Sequence, residues 1–277
     1  CIFAAILLTT LGTHRHIPHL KPPPAPREFS PMRMVGEVWE TVSNPSFRSL
    51  FIATMFGLLA SGVSATLNQY INGFFWGFTS QQISGLTMGV YLSAVLALII
   101  APIAGKTFGK KRAAIIIGLL AFTIAPAPVF ARLAGLLPPN GTEALYWTIL
   151  IVTIVDIALI VAYQILTASM VADIVEQNEL ATGRRSEGVY FAGISFMRKL
   201  AQGVGVLTAS FILAFASITP GMVPAEATEG SIRTLGFGYA IMLLILWMSM
   251  LVAVSFYRIS REDHEQNLKT LAEKRES

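Results

Sequence analysis

Residues 172–203 read ADIVEQNELATGRRSEGVYFAGISFMRKLAQG. Eight charges fall in this stretch, four acidic and four basic, in a chain that is only 13% charged overall. Six of them lie between Asp173 and Glu187, while Arg198 and Lys199 follow eleven and twelve residues after Glu187. Apolar runs at approximately 144–171 and 188–216 flank the dense cluster. Each is long enough to cross a bilayer, which takes about 20 residues of helix. The cluster therefore reads as a polar loop between two membrane spans, the second of which carries charge at depth.

Four more runs of the same kind lie outward, at approximately 49–73, 83–104, 113–134 and 234–257. The chain is 54% hydrophobic with a mean hydropathy of +0.63. A soluble protein would carry about a quarter charged residues. Transmembrane β-barrels show alternating segments of about ten residues, and no such alternation occurs here. The class is a polytopic all-α membrane protein. The opening CIFAAILLTTLG (residues 1–12) is too short to span and lacks the basic region and cleavage site of a signal peptide. It reads as the residual end of a truncated span. A single cysteine excludes an internal disulfide and a Cys-based metal site. THRHIPH (residues 13–19) reads as a basic membrane-proximal loop rather than a metal tract, so no metal site is expected.

Residues 13–48 form a connector. It opens with the stiff, extended KPPPAPR and continues into SPMRMVGEVWETVSNPSF. There Met34, Val35, Val38, Trp39 and Val42 recur at helical spacing, with Ser30 to cap and Pro31 at the first position. This predicts a short helix lying along the membrane surface. The lysines and arginines fix the orientation. Sixteen fall in the connector, the 105–112 loop, the 184–185 pair and the tail 258–277, against Arg132 and Arg233 in the opposite set of loops. The positive-inside rule makes the first set cytoplasmic. Residues 49–257 then form a six-span bundle that follows a long basic cytoplasmic connector. That plan matches the second half of a twelve-span major facilitator, each half of which is a 3+3 inverted repeat.

The quoted stretch carries the more specific likeness. Asp173, Glu176 and Glu179, then TGRRSEG (182–188), then Lys199, resemble the signature of the glycoside–pentoside–hexuronide cation symporters. These are the melibiose-permease-like members of the major facilitator superfamily. LNQYINGFFWGF (67–78) resembles that family's seventh span, and GKTFGKKR (105–112) its loop between spans eight and nine. Glu176 stands where the family often has a second Asp. The loop lacks the acidic residue of the family's fullest version, which weakens a salt-bridge role there. The resemblance implies cation-coupled sugar transport across a bacterial inner membrane, with no enzymatic activity and no cofactor beyond a coupling Na⁺ or H⁺. That cation would be bound mainly by a first, six-span half that this sequence does not contain.

Two groups of candidate residues follow. Asp173 and Glu176 are three apart, so they share one face near a helix C-terminus, where the helix dipole disfavours acids and opposing arginines would repair the mismatch. Ser186 can cap the next helix with Glu187 in its first turn. Asp173, Glu176, Arg184, Arg185 and Glu187 are read as a cytoplasmic gate, with a solvated loop of little energetic worth as the alternative. Lys199 lies roughly 18 Å along its helix from Glu187, near the bilayer midplane. A lysine there costs about 2.5–3.5 kcal/mol on insertion scales and should face a polar cavity or an acid. Its face carries Ala192, Ser195, Gln202, Gly203 and Val206. By the resemblance, Lys199 serves the cation and sugar sites, and Gln164 and Ser195 align near the sugar; packing or snorkelling is the other reading of Lys199.

Asp156, Tyr163, Gln164 and Thr167 share roughly one helical face, a polar wall suited to sugar hydroxyls. Asp156 is read either as a protonation site or as an interhelical hydrogen-bonding group. Asn68, Gln69, Tyr70 and Asn72 form a second polar cluster, with substrate contact, an outer gate and an interfacial belt all open. Phe74, Phe75 and Trp76 read as interfacial anchors. Pro126 and Pro128 are expected to kink their span, and Gly203 and Gly205 to permit close packing. The partners implied are the lipid bilayer, the absent half and a sugar, glycoside or sugar acid, with no nucleic acid. A lysolipid substrate is the alternative within transporters. A Mg²⁺-dependent prenyl transferase using Asp173 and Glu176 is remote, because that chemistry wants a second acidic motif.

Overall fold

Each apolar run of the sequence becomes a helix, because inside a bilayer only a helix or a closed barrel satisfies its own backbone polar groups. The computed structural model describes residues 2–14, 43–182 and 187–259, together with Met32, Gly36, Trp39, Gln266 and Thr270. Among the described residues every regular element is helical. They are α1 (Ile2–His14), α2 (Pro45–Tyr70), α3 (Ser80–Phe108), α4 (Lys110–Ile124), α5 (Ala127–Leu133), α6 (Glu143–Thr182), α7 (Glu187–Phe215) and α8 (Glu229–Ser255). A π-turn, Ile71–Phe75, prolongs α2, and a 3-10 turn, Pro224–Glu226, precedes α8.

Among the described residues, five helical stretches are long and apolar enough to cross a membrane: Pro45–Phe75, Ser80–Phe108, Lys110–Leu133, Glu143–Gln177 and Glu229–Ser255. The sixth expected span, α7, has the length (29 residues) but interrupts its apolar sequence with Arg198 and Lys199. Helix α6 runs on to Thr182, past the end expected at 171. Residues 173–181 are hydrophilic yet rich in Glu, Gln, Leu and Ala, which favour helix whatever the solvent.

The chain divides into two units, Cys1–Glu37 and Val38–Ser277. The first holds α1, whose Phe3, Ile6, Leu7, Leu8 and Leu11 are exposed. The Pro-rich linker and most of the surface helix expected after Ser30 lie outside the described residues, as does most of the tail beyond 259.

In the second unit α2 packs on α7 and α8, and α6 packs on α3 and α4. Helices α3 and α4 also meet, as do α7 and α8, α4 and α8, and α2 and α6. Exchanging α2, α3 and α4 for α6, α7 and α8 converts this set of pairs into itself. That is the signature expected of a 3+3 repeat.

Local chemistry fixes the helix ends. Asn44 Oδ1 accepts the amides of Ser46 (2.9 Å) and Phe47 (3.2 Å), and Pro45 takes the first position of α2. Thr79 and Gln82 cap α3 reciprocally. Gly109 alone joins α3 to α4, at φ +78, where a side chain would be strained. Pro126 and Pro128 break the third span as expected, ending α4 at Ile124 and opening α5 at Ala127. Helices α2 and α7 touch backbone to backbone. A Cβ on Gly205 would lie 2.6 Å from the Gly62 carbonyl carbon, whereas one on Gly203 would meet nothing within 4 Å. Close packing thus holds for Gly205 and not for Gly203.

Phe74, Phe75 and Trp76 do not sit at the lipid interface. All three are buried, and the Arg132 guanidinium lies over the rings of Phe75 (4.8 Å) and Trp76 (5.6 Å). Arg132 also bonds Asn140, whose amide reaches Phe75 O at 3.3 Å. The π-turn rotates these rings inward, and hydropathy has no means to register that.

Candidate transport pathway

The inner part of the pathway begins at the π-turn. It forms because Trp76 N–H donates to Ile71 O (2.9 Å) and Phe78 N–H to Asn72 O (2.9 Å), skipping the α-helical register. The Asn72 amide then donates to Asn68 Oδ1 one turn earlier. These asparagines, Ser64 of α2, Asp156 of α6 and Tyr239 of α8 border a cavity of about 250 Å³. The broken turn at Ala125, Pro126 and Pro128 forms another side of it. Ser64 Oγ and Tyr239 OH are 3.2 Å apart and share a hydrogen bond. Asp156 Oδ1 is sealed from solvent and has no hydrogen-bond partner among the described residues. Trp247 closes the wall, stacked on Phe122 at 4.8 Å, and Phe122 meets the Tyr163 ring edge-on at 6.0 Å.

The expected polar stripe on α6 is therefore split. Tyr163 is buried against α4, Asp156 borders the inner cavity, Thr167 is half-buried with its hydroxyl on Tyr163 O (3.0 Å), and Gln164 is exposed. The cluster at the end of α2 divides as well. Asn68 and Gln69 are exposed, and Tyr70 is half-buried against Phe74 with ring centroids 5.9 Å apart.

The exposed surface of α7 has two sectors. Ala192, Ser195, Lys199, Gln202, Gly203, Val206 and Ser210 are exposed along one line of the helix. Phe196, Leu200, Leu207 and Phe211 are exposed along another, roughly 80–100° away. Arg198 is also exposed, on neither line. Lys199 thus shares its line with small and polar residues.

The third region lies where α2 and α4 begin and α8 ends. Asp173 is 4% exposed and pairs with Lys110 Nζ at 2.6 Å. Tyr257 OH donates to Met170 O (3.4 Å) and lies 3.5 Å from Asp173 Oδ2. Lys111 Nζ donates to Tyr257 O (2.6 Å), and the Arg258 amide to Ser46 Oγ (3.2 Å). Asn44 reaches Gln177 Oε1 at 3.4 Å. One knot of hydrogen bonds therefore ties four helix ends. A groove of about 1070 Å³ opens beside it, bordered by Lys106, Lys110, Lys111, Arg112 and Arg258. Glu176 is half-buried one turn further along α6. Arg184 and Arg185 lie outside the described residues, as does the side chain of Glu187.

Sequence reasoning missed Lys110, Lys111, Tyr257, Ser64 and Tyr239. The GKTFGKKR loop makes its salt bridge after all, to an acid on another helix rather than to one of its own. The available signal was the lone Tyr239 in an otherwise apolar run.

Polar groups held inside and along a bundle of membrane-spanning helices with an internal repeat define a multi-pass membrane protein. A family model described as MFS/sugar transport protein matches residues 2–261. The chain belongs to that family, and the resemblance to the melibiose-permease-like symporters is borne out. It is 24% identical over 256 residues to the uncharacterized symporter YjmB of Bacillus subtilis, covering 90% of this chain and 51% of that protein. An uncharacterized symporter of Synechocystis sp. is 23% identical over 256 residues, covering 91% of this chain and 45% of the other. A putative 2,3-dihydroxypropane-1-sulfonate exporter of Salmonella typhimurium is 29% identical over 94 residues, which is 34% of this chain and 20% of the exporter. The chain thus spans about half the length of the first two. The family's members are transporters, so the prenyl-transferase reading falls.

Proposed function

We propose that this chain is the C-terminal half of a cation-coupled symporter for a sugar, glycoside or sugar acid. It works by alternating access, the two halves rocking about a site near the midplane of a bacterial inner membrane. The observation that carries the reading is the separation of two exposed sectors on α7. A lysine with Ser195, Gln202 and Gly203 exposed one turn away, at the edge of the Phe196–Phe211 sector, suits an aqueous pathway better than lipid. Gln164, exposed on α6, and Asn68, exposed on α2, suit the same pathway. Sixteen lysines and arginines against two support a cytoplasmic location for the end that holds Asp173.

The gate reading is extended by the same knot of bonds. The Lys110–Asp173 pair, with Tyr257 beside it, acts as the closed state of the cytoplasmic end, and Glu176, Arg184, Arg185 and Glu187 belong to the same device. The coupling cation, Na⁺ or H⁺, would be held mainly by the partner half.

Uptake of a panel of glycosides and sugar acids by the full-length gene product, with and without sodium and with the proton gradient collapsed, tests the reading. Cation-dependent accumulation of one of them is expected, lost in Lys199→Ala at normal expression. Uptake of a lysolipid, with no sugar moved, overturns the substrate class.

A further inference from the structure

We propose that Asp156 is a proton-binding site belonging to this bundle itself, in addition to any cation site elsewhere in the transporter. Three features of the structure converge on it. First, Asp156 Oδ1 is buried and takes no hydrogen bond from any described residue. Buried carboxylates are almost always paired. Second, among the described residues no Lys, Arg or His borders the cavity that Asp156 faces. The titratable group opposite is Tyr239 of α8, whose hydroxyl is bonded to Ser64; α2, the π-turn, α3 and the α4–α5 break contribute only Ser, Thr, Asn and apolar groups. An ionised carboxylate there has no counter-charge among the described residues bordering the cavity, which is costly in a membrane interior, and a bound proton removes that cost. Third, the cavity lies where two spans depart from regular helix, at the π-turn and at Pro126–Pro128. Irregular backbone at membrane depth occurs where it is buried in protein or lines a cavity, and prolines 126 and 128 cannot donate to the carbonyls of the preceding turn.

A proton is favoured over a metal ion because the cavity offers one carboxylate and otherwise neutral groups. Sodium would need several of the cavity's neutral oxygens to converge on one point with the carboxylate, whereas Ser64 and Tyr239 are bonded to each other and the Asn72 amide to Asn68 Oδ1. The step balances simply. A proton from water joins a carboxylate oxygen of Asp156 to give the neutral acid, and it returns to water when the cavity opens. The neutral acid is also a donor, and Asn68, Asn72 and the Ser64–Tyr239 pair all carry acceptor oxygens beside the same cavity. Protonation would therefore tie α6 to α2 and α8, and ionisation would loosen that side of the bundle. The site stands without the symport reading; only the use made of the proton rests on it.

Infrared pH titration of the full chain in lipid vesicles tests this without transport. One carboxylic C=O band, shifted by exchange into D₂O, should come and go with pH. It should be lost in Asp156→Asn, kept in Asp173→Asn, and moved in frequency or midpoint in Tyr239→Phe. Where Asp156→Asn does not fold, Asp156→Glu should replace the band with one at a different position. Two results overturn the proposal. One is a spectrum in which no pH-sensitive band responds to substitution at 156. The other is a band removed at constant pH by sodium chloride and not by choline chloride, which would make the site a sodium site.

Discussion

Helix α6 carries Asp173, which is buried, and Asp156, which is half-buried with Oδ1 sealed from solvent, 17 residues and therefore roughly 26 Å apart. Asp173 sits in the knot that ties four helix ends, with a lysine at 2.6 Å and a tyrosine hydroxyl nearby. Among the described residues, Asp156 faces a cavity bordered by no cation and has an oxygen with no hydrogen-bond partner. The same residue type on the same helix is thus an anchored charge at one level and an uncompensated one at the other. What distinguishes them is the local supply of counter-charge: Lys110 meets Asp173, and no described Lys, Arg or His borders the cavity that Asp156 faces.

The comparison makes ordered predictions. The largest effect should come from Lys110→Met, which removes the lysine paired with a buried aspartate and should cost about 3 kcal/mol, read as a lower melting transition of the chain in detergent. Asp173→Asn should cost less, because Lys110 is about one-third exposed and can turn to water. Adding it to Lys110→Met should restore part of the loss, and strict additivity in that double-mutant cycle would break the pairing argument. Tyr257→Phe removes a hydroxyl with two acceptors nearby and should cost about 1 kcal/mol, again as a lower melting transition. The smallest effect should be that of Asp156→Asn, which replaces a carboxyl whose Oδ1 has no hydrogen-bond partner among the described residues. Its melting transition should stay within about 1 kcal/mol of the parent or rise, and a loss as large as that of Lys110→Met would erase the contrast.

Much of this arrangement was legible in the sequence. Apolar runs of span length, the proline break and the charged loop each carry their signal within a few consecutive residues. The partner of Asp173 does not, because Lys110 lies 63 residues away and meets it only once α4 docks on α6. Sequence proximity pointed instead to Arg184 and Arg185. The α6 stripe failed for a geometric reason. At 100° per residue Gln164 lies about 80° from Asp156, enough to separate a cavity wall from an exposed face. The burial of Phe74–Trp76 depends on a π-turn, whose extra residue per turn shifts every later side chain and leaves no mark in composition.

The glycine contact between α2 and α7 has a mechanical side. Where Gly62 and Gly205 meet, backbone touches backbone with no side chain between, which is the geometry of a pivot rather than of a clasp. Lys199 lies six residues from Gly205, a lever arm of roughly 9 Å, so a tilt of about 10° about that point carries its backbone about 1.5 Å. Gly205→Ala would force the two backbones apart and remove the pivot while leaving every charge in the protein where it was.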